Sequence, residues 1–192
     1  RLVFKPMSTV EKFETLSVTA YLALEERSET RHEYVDGVIY AMVGGSVRHN
    51  LIAASLLSTL RSHLRGSPCR AYMSDMKVQA GTRVYYPDVM VSCGKLHPTA
   101  TYESAPVLIV EVLSESTEAR DRLEKLVAYQ SISSLTEYVL VSQDKIQVET
   151  YLRGEPGWSR TICSYGDRLH LESIGFECQI ERIYEDVLDS LT

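Results

Sequence analysis

The sequence predicts an α/β (α+β) chain, a mixed β-sheet flanked by helices with an extra C-terminal β-meander. Three observations carry that prediction. Asp36-Gly37 lies between the strand-like halves of HEYVDGVIYAM, a dipeptide that favours a tight hairpin because both positions tolerate positive φ. PVLIVEVLS is the most apolar stretch of the chain and is rich in β-branched residues, as a central strand covered on both faces requires. STEARDRLEKLVAYQ follows with helical spacing, and EYVLVS then returns to strand.

Each element has its own local reason. Residues 17–26 form a short helix, with Val18, Tyr21, Leu22 and Leu24 supplying apolar surface. After the hairpin, Gly44-Gly45-Ser46 breaks the strand, and Ser46 caps a helix over residues 47–65. Ile52, Leu56, Leu60 and Leu64 share one face of that helix, while Arg61 and Arg65 project from another. Two strands follow, residues 76–80 and 83–93, joined by a turn at Gly81-Thr82. Thr117 starts the next helix, whose apolar residues Leu123, Leu126 and Val127 predict its core stripe. The meander is KIQVETYL, WSRTICS and RLHLE, with breaks at residues 154–157 and 165–167. No repeat or linker divides the chain, so residues 17–192 are expected to be a single domain preceded by an extension over residues 1–16.

Composition excludes several classes. With 44% apolar and 24% charged residues the chain is an ordinary globular one. No apolar run reaches the roughly 18 residues of a membrane span, and no leader signature opens the sequence. The cysteines at 69, 93, 163 and 178 are widely spaced with no C-x-x-C, so a reduced, cytoplasmic protein is expected rather than a disulfide framework or zinc knuckle. A net charge of −6 argues against a surface that grips nucleic acid all over, though it leaves room for one local cleft.

Two carboxylates are out of place. Period-two geometry puts Val107, Ile109, Glu111 and Leu113 on one strand face, so Glu111 must be paired, ligate a metal or sit at an open strand end. Asp88 poses the same question within VYYPDVMVS, where Pro87 suggests a strand edge or bulge. In the ordinary structural reading Asp88 caps a bend and Glu111 pairs with a basic group. Two acids on adjacent strands would instead make an oxygen-rich site for Mg²⁺ or Mn²⁺.

YYPDVMV, PVLIVEVLSESTEARDRLEKLVAY and EYVLV, with RHEYVDGVIYAMVGGSVRHN ahead of them, resemble the Uma-type putative restriction endonuclease family of bacteria. The resemblance covers nearly the whole chain, about residues 17–186. It implies the restriction-endonuclease-like PD-(D/E)-x-K fold, and a divalent metal held by Asp88, Glu111 and the backbone carbonyl of Val112. The lysine expected two positions after Glu111 is replaced by Leu113. Lys125, in the following helix, is the best substitute, with Lys77 a weaker one. Asp121, Lys125 and Tyr129 share a helix face at i, i+4 spacing, which equally describes a surface Asp–Lys pair.

Two more residues complete the candidate set. Glu33 matches the family's acidic position and could support the metal from the side, or be a solvated strand end. His49 could be a satisfied core histidine, a phosphate contact or a base. The Gly44-Gly45-Ser46 turn could offer backbone N–H groups to a phosphate, but its simplest role is to break the chain. Nucleophile-elbow, H-E-x-x-H and dinucleotide motifs are absent. The expectation is therefore a Mg²⁺-dependent DNA endonuclease, with a homodimer compatible with cutting both strands; Arg48, Arg61 and Arg65 could contact phosphates, though solvated surface positions explain them equally well. The rival is a protein that keeps the nuclease fold for binding or assembly.

Overall fold

A computed structural model describes residues 16–191; the expected extension at residues 1–16 lies, but for Leu16, outside them. The chain runs α1 (Val18–Glu25), β1 (His32–Val35), β2 (Val38–Ala41), α2 (Val47–His63), β3 (Cys69–Met73), β4 (Lys77–Ala80), β5 (Arg83–Tyr85) and β6 (Val89–Cys93). Then come β7 (Tyr102–Glu103), β8 (Pro106–Leu113), α3 (Glu118–Arg120), a π-helical turn (Asp121–Lys125), α4 (Leu126–Gln130) and β9 (Glu137–Ser142). The strands β10 (Gln147–Arg153), β11 (Trp158–Ser164), β12 (Arg168–Leu171) and β13 (Phe176–Gln179) follow.

The strands divide between two main sheets. A five-stranded sheet has the order β2-β1-β5-β4-β7, and a six-stranded one the order β11-β10-β9-β8-β6-β3. The Asp36-Gly37 hairpin forms as expected, with φ of 48° and 102° at its two turn residues and Val35 opposite Val38. β8 is central, antiparallel to β6 and parallel to β9, so the helix between β8 and β9 is the crossover that parallel pairing demands.

The expected strand over residues 83–93 is instead two strands in different sheets. β5 joins the first and β6 the second, with Tyr86, Pro87 and Asp88 making the passage between them. Pro87 has no N–H to give a ladder and fits where pairing stops. The meander also divides: β10 and β11 extend the six-stranded sheet, while β12 leaves it to pair with β13. β3, absent from the sequence reading, forms the far edge.

Both faces of β8 are covered, as its apolar run demands. Leu108, Val110 and Val112 pack with Ile52, Leu56 and Leu60 of α2 and with the C-terminal residues Phe176, Ile180 and Tyr184. Ile109 and Leu113 turn the other way, onto Tyr129, Tyr138 and the Val78 and Tyr85 side chains of the five-stranded sheet. α1 covers the outer face of that sheet through Tyr21, stacked on Tyr34.

Two further expectations are overturned. Leu123 and Val127, placed in the core stripe, are 70% and 66% exposed, while Asp121, Lys125, Ala128 and Tyr129 are buried. The helix presents its polar face to the core because that face has partners there. Cys69 and Cys93, held opposite each other by the β3–β6 register, form a disulfide, against the expectation of reduced cysteines throughout. Cys163 and Cys178 are free and buried.

Candidate functional site

The β6–β8 register, with Val89 opposite Val110, carries Asp88 to the position opposite Glu111 on the adjacent strand. Asp88 Oδ2 accepts the Val112 N–H at 2.7 Å and lies 3.2 Å from His49 Nε2. On β8, Glu111 is 3% exposed. Its Oε1 accepts from Lys125 Nζ at 3.0 Å and from the Tyr129 hydroxyl at 2.8 Å. Both carboxylates therefore share one pattern. In each, one oxygen is engaged from two sides, Glu111 Oε1 by two hydrogen bonds and Asp88 Oδ2 by one hydrogen bond and the nearby imidazole, and the other oxygen has no hydrogen bond among the described residues.

Lys125 is the hub of the buried charges. Its Nζ lies 3.0 Å from Glu111 Oε1, 3.1 Å from Glu33 Oε1 and 3.1 Å from Asp121 Oδ1. The last contact lacks hydrogen-bond geometry and leaves Asp121 Oδ1 a buried acceptor without a hydrogen-bond partner among the described residues. Glu33 is also held by Arg120 at 2.6 Å, and the Tyr86 N–H donates to it at 3.4 Å. Arg120 spans to Glu124 at 3.1 Å and lies over the Tyr40 ring. The π-helical turn sets this geometry. An i→i+5 turn is rare and often marks a functional site, and here it contains both Asp121 and Lys125.

The electrostatics follow from burial. Burial pushes the Glu111 carboxyl well above the ordinary carboxylate range, against the pull of Lys125 and with a further push from Asp121, Asp88 and Glu33. Asp121 is raised for the same first reason, with Lys125 opposing. For Lys125 burial alone would lower the ammonium, but Glu111, Glu33 and Asp121 outweigh it and hold it well above the usual lysine range. The Asp88 carboxylate beside it raises His49, against its burial. Glu33, Asp88, Glu111 and Asp121 outnumber the cations Lys125 and Arg120, so the site carries an excess of carboxylate.

The structure thus brings together Asp88, Glu111, Val112, Lys125, Glu33 and His49. Glu33 is buried, which removes the solvated strand-end reading, and Lys125 is no surface pair partner. Lys77 is elsewhere, over the Tyr86 ring and lining a separate cleft with Arg61. Arg48 is engaged with the Gln143 carbonyl and Asp144. Tyr129 and Arg120 are site residues that the sequence reading gave no role. The i, i+4 series from Asp121 was the available signal for Tyr129, and Arg120 carried none.

Among the described residues no group of three His, Cys, Asp or Glu side chains is placed to hold a metal ion. Two carboxylates and a backbone carbonyl are nevertheless hard oxygen donors of the kind Mg²⁺ takes, with water completing the shell. The donor chemistry of Asp88, Glu111 and Val112 fits such an ion, and the excess of carboxylate favours an added cation.

A family model described as Uma2, "Putative restriction endonuclease", matches residues 18–181. Two uncharacterized proteins of Synechocystis sp. (strain ATCC 27184 / PCC 6803 / Kazusa) are similar to this chain. One, slr1290, is 40% identical over 176 residues, covering 90% of this chain and 93% of its own. The other, sll1609, is 31% identical over 161 residues, covering 81% and 91%. Among solved structures, one described as a putative nuclease belonging to DUF820 from Anabaena variabilis ATCC 29413 superposes with a TM-score of 0.74 at 17% identity. It covers 88% of this chain and 97% of that one. That likeness is one of fold, and the fold is restriction-endonuclease-like.

Proposed function

Because this chain belongs to the Uma2 family of putative restriction endonucleases, we propose that it is a metal-dependent nuclease that hydrolyses DNA phosphodiester bonds. One observation carries the reading. Asp88, at the entry to β6, and Glu111, at the facing position of β8, each have one oxygen engaged from two sides and the other without a hydrogen bond among the described residues. Asp88, Glu111 and the Val112 carbonyl would hold Mg²⁺ or Mn²⁺. Such an ion supplies a Lewis acid for the phosphate and lowers the pKa of the attacking water.

The chain's own residues set the geometry. Lys125 and Tyr129 fix the Glu111 carboxylate, and the Lys125 ammonium offsets negative charge developing on the phosphate. Glu33, braced by Arg120, also holds Lys125. Lys125 thereby stands in for the lysine missing at Leu113. Paired cuts in a duplex would call for a homodimer.

The rival reading, a nuclease fold kept for binding, is favoured by Leu113, which is buried in the core where the family's lysine is expected. Cleavage assays decide between them. Supercoiled plasmid and single-stranded DNA are incubated with Mg²⁺ or Mn²⁺, beside Asp88→Ala and Glu111→Ala. Metal-dependent nicking that disappears in both variants is the expected result. DNA binding without cleavage under either metal supports the rival, and activity that survives both substitutions overturns the site.

A further inference from the structure

The Gly44-Gly45-Ser46 segment does more than end a strand. Ser46 caps α2: its hydroxyl oxygen accepts the His49 N–H at 3.0 Å while its own proton goes to Gln143 Oε1 at 2.6 Å. The cap therefore fixes the backbone of His49 against the loop after β9. Gly45 then leaves room for the ring. A Cβ at residue 45 would lie 2.8 Å from His49 Nδ1 and 3.0 Å from its Cγ, closer than side chains pack. Gly45 does not take a positive φ, so what the position demands is space and not backbone freedom.

With Nδ1 turned toward Gly45, Nε2 faces Asp88 Oδ2 at 3.2 Å. Oδ2 already accepts the Val112 N–H at 2.7 Å. The Val112 hydrogen bond and the imidazole beside it both engage Oδ2 and so restrain the carboxylate's rotation about its Cβ–Cγ bond, while Oδ1 has no hydrogen bond among the described residues. Donors that orient a ligating carboxylate are as much a part of a metal site as the ligands themselves.

We propose that Gly45, Ser46 and His49 form a positioning device for Asp88. Ser46 sets the helix start, Gly45 clears the ring, and His49 holds Oδ2 so that Oδ1 is presented to the divalent ion. The inference rests on the metal-site reading above. His49 acts through Asp88 and is a positioning residue.

The test uses Mn²⁺ titrated calorimetrically into the full-length protein, together with the position of the Val112 amide proton by NMR in EDTA. His49→Ala removes the donor. Gly45→Ala keeps the imidazole but displaces it, and His49→Gln returns an amide donor near the place of Nε2. The expected result is Mn²⁺ affinity about 10–100-fold weaker in His49→Ala and Gly45→Ala, with partial recovery in His49→Gln. The Val112 amide proton moves upfield in the first two variants, as its carboxylate partner loosens, and returns toward the wild-type position in the third. Wild-type affinity and an unmoved Val112 resonance in folded His49→Ala and Gly45→Ala overturn the proposal. If the wild-type protein takes up no Mn²⁺, the metal-site reading fails and the device with it as a metal-positioning one. A Val112 resonance that still responds would then leave His49 as a structural brace of Asp88 alone.

Discussion

Replacing Lys125 with methionine keeps the length of the side chain and removes its charge, which isolates what the ammonium does. In the wild type it sits within 3.0–3.1 Å of Glu111, Glu33 and Asp121 and is 5% exposed. Removing one partner of a buried ion pair costs about 3–5 kcal/mol, because a charge is left without compensation. Glu33 keeps Arg120 at 2.6 Å, so the loss falls on Glu111 and Asp121 and the lower end of that range is expected. Against a total stability of roughly 5–15 kcal/mol this is a large fraction.

The deficit also depends on pH, with a definite sign. Glu111 and Asp121 already have raised pKa values through burial, and loss of Lys125 raises them further. An acid raised in the folded state binds more protons there than in the unfolded chain. Its destabilising effect is therefore absent below the ordinary carboxylate pKa of about 4 and grows as pH rises above it. Urea unfolding in EDTA, followed by circular dichroism at pH 5 and pH 8, measures this. Lys125→Met should fall about 3 kcal/mol short of wild type at pH 8 and by less at pH 5. A shortfall below about 1 kcal/mol at pH 8, the scale of an exposed pair, refutes the buried hub. Equal shortfalls at the two pH values refute the electrostatic account of it.

The orientation of the same helix yields a second expectation. Leu123→Ser and Val127→Ser, at exposed positions, should each change stability by no more than about 0.5 kcal/mol. If Leu123 and Val127 were the core stripe, each truncation would cost about 2 kcal/mol or more by the same unfolding measurement. A third expectation concerns the cysteines. Thiol titration of the denatured protein should find only Cys163 and Cys178 before reduction, and Cys69 and Cys93 in addition afterwards. Four reactive thiols before reduction would mean that β3 and β6 are not bridged.

Much of the framework was legible in the sequence, and for physical reasons. The Asp36-Gly37 turn is a backbone requirement written in two adjacent residues, and the structure has it at φ values of 48° and 102°. The Ser46 cap and the Ile52, Leu56 and Leu60 face of α2 are equally local. β8 announced itself by an apolar run too long for a one-sided strand, and Glu111 by interrupting it. Asp88 and Glu111 could be singled out because each carries a charge where apolar neighbours make it unexpected, whereas Lys125 was singled out by the family resemblance, as the substitute for the lysine absent at Leu113.

What the sequence could not decide depended on partners far along the chain. Apolar periodicity places Leu123 and Val127 inside, since it treats every charged side chain as a surface one. The helix turns the other way because Glu33 and Glu111, 92 and 14 positions before Lys125, meet its ammonium in the folded chain. An ion pair compensates burial only when both members arrive together, and no local window contains both. The division of residues 83–93 between two sheets and the meeting of Cys69 with Cys93 are likewise matters of which strands become neighbours. So is the role of Gly45: as sequence it is a turn residue, and only the folded position of the His49 ring shows that its lack of a side chain is what keeps the imidazole against Asp88.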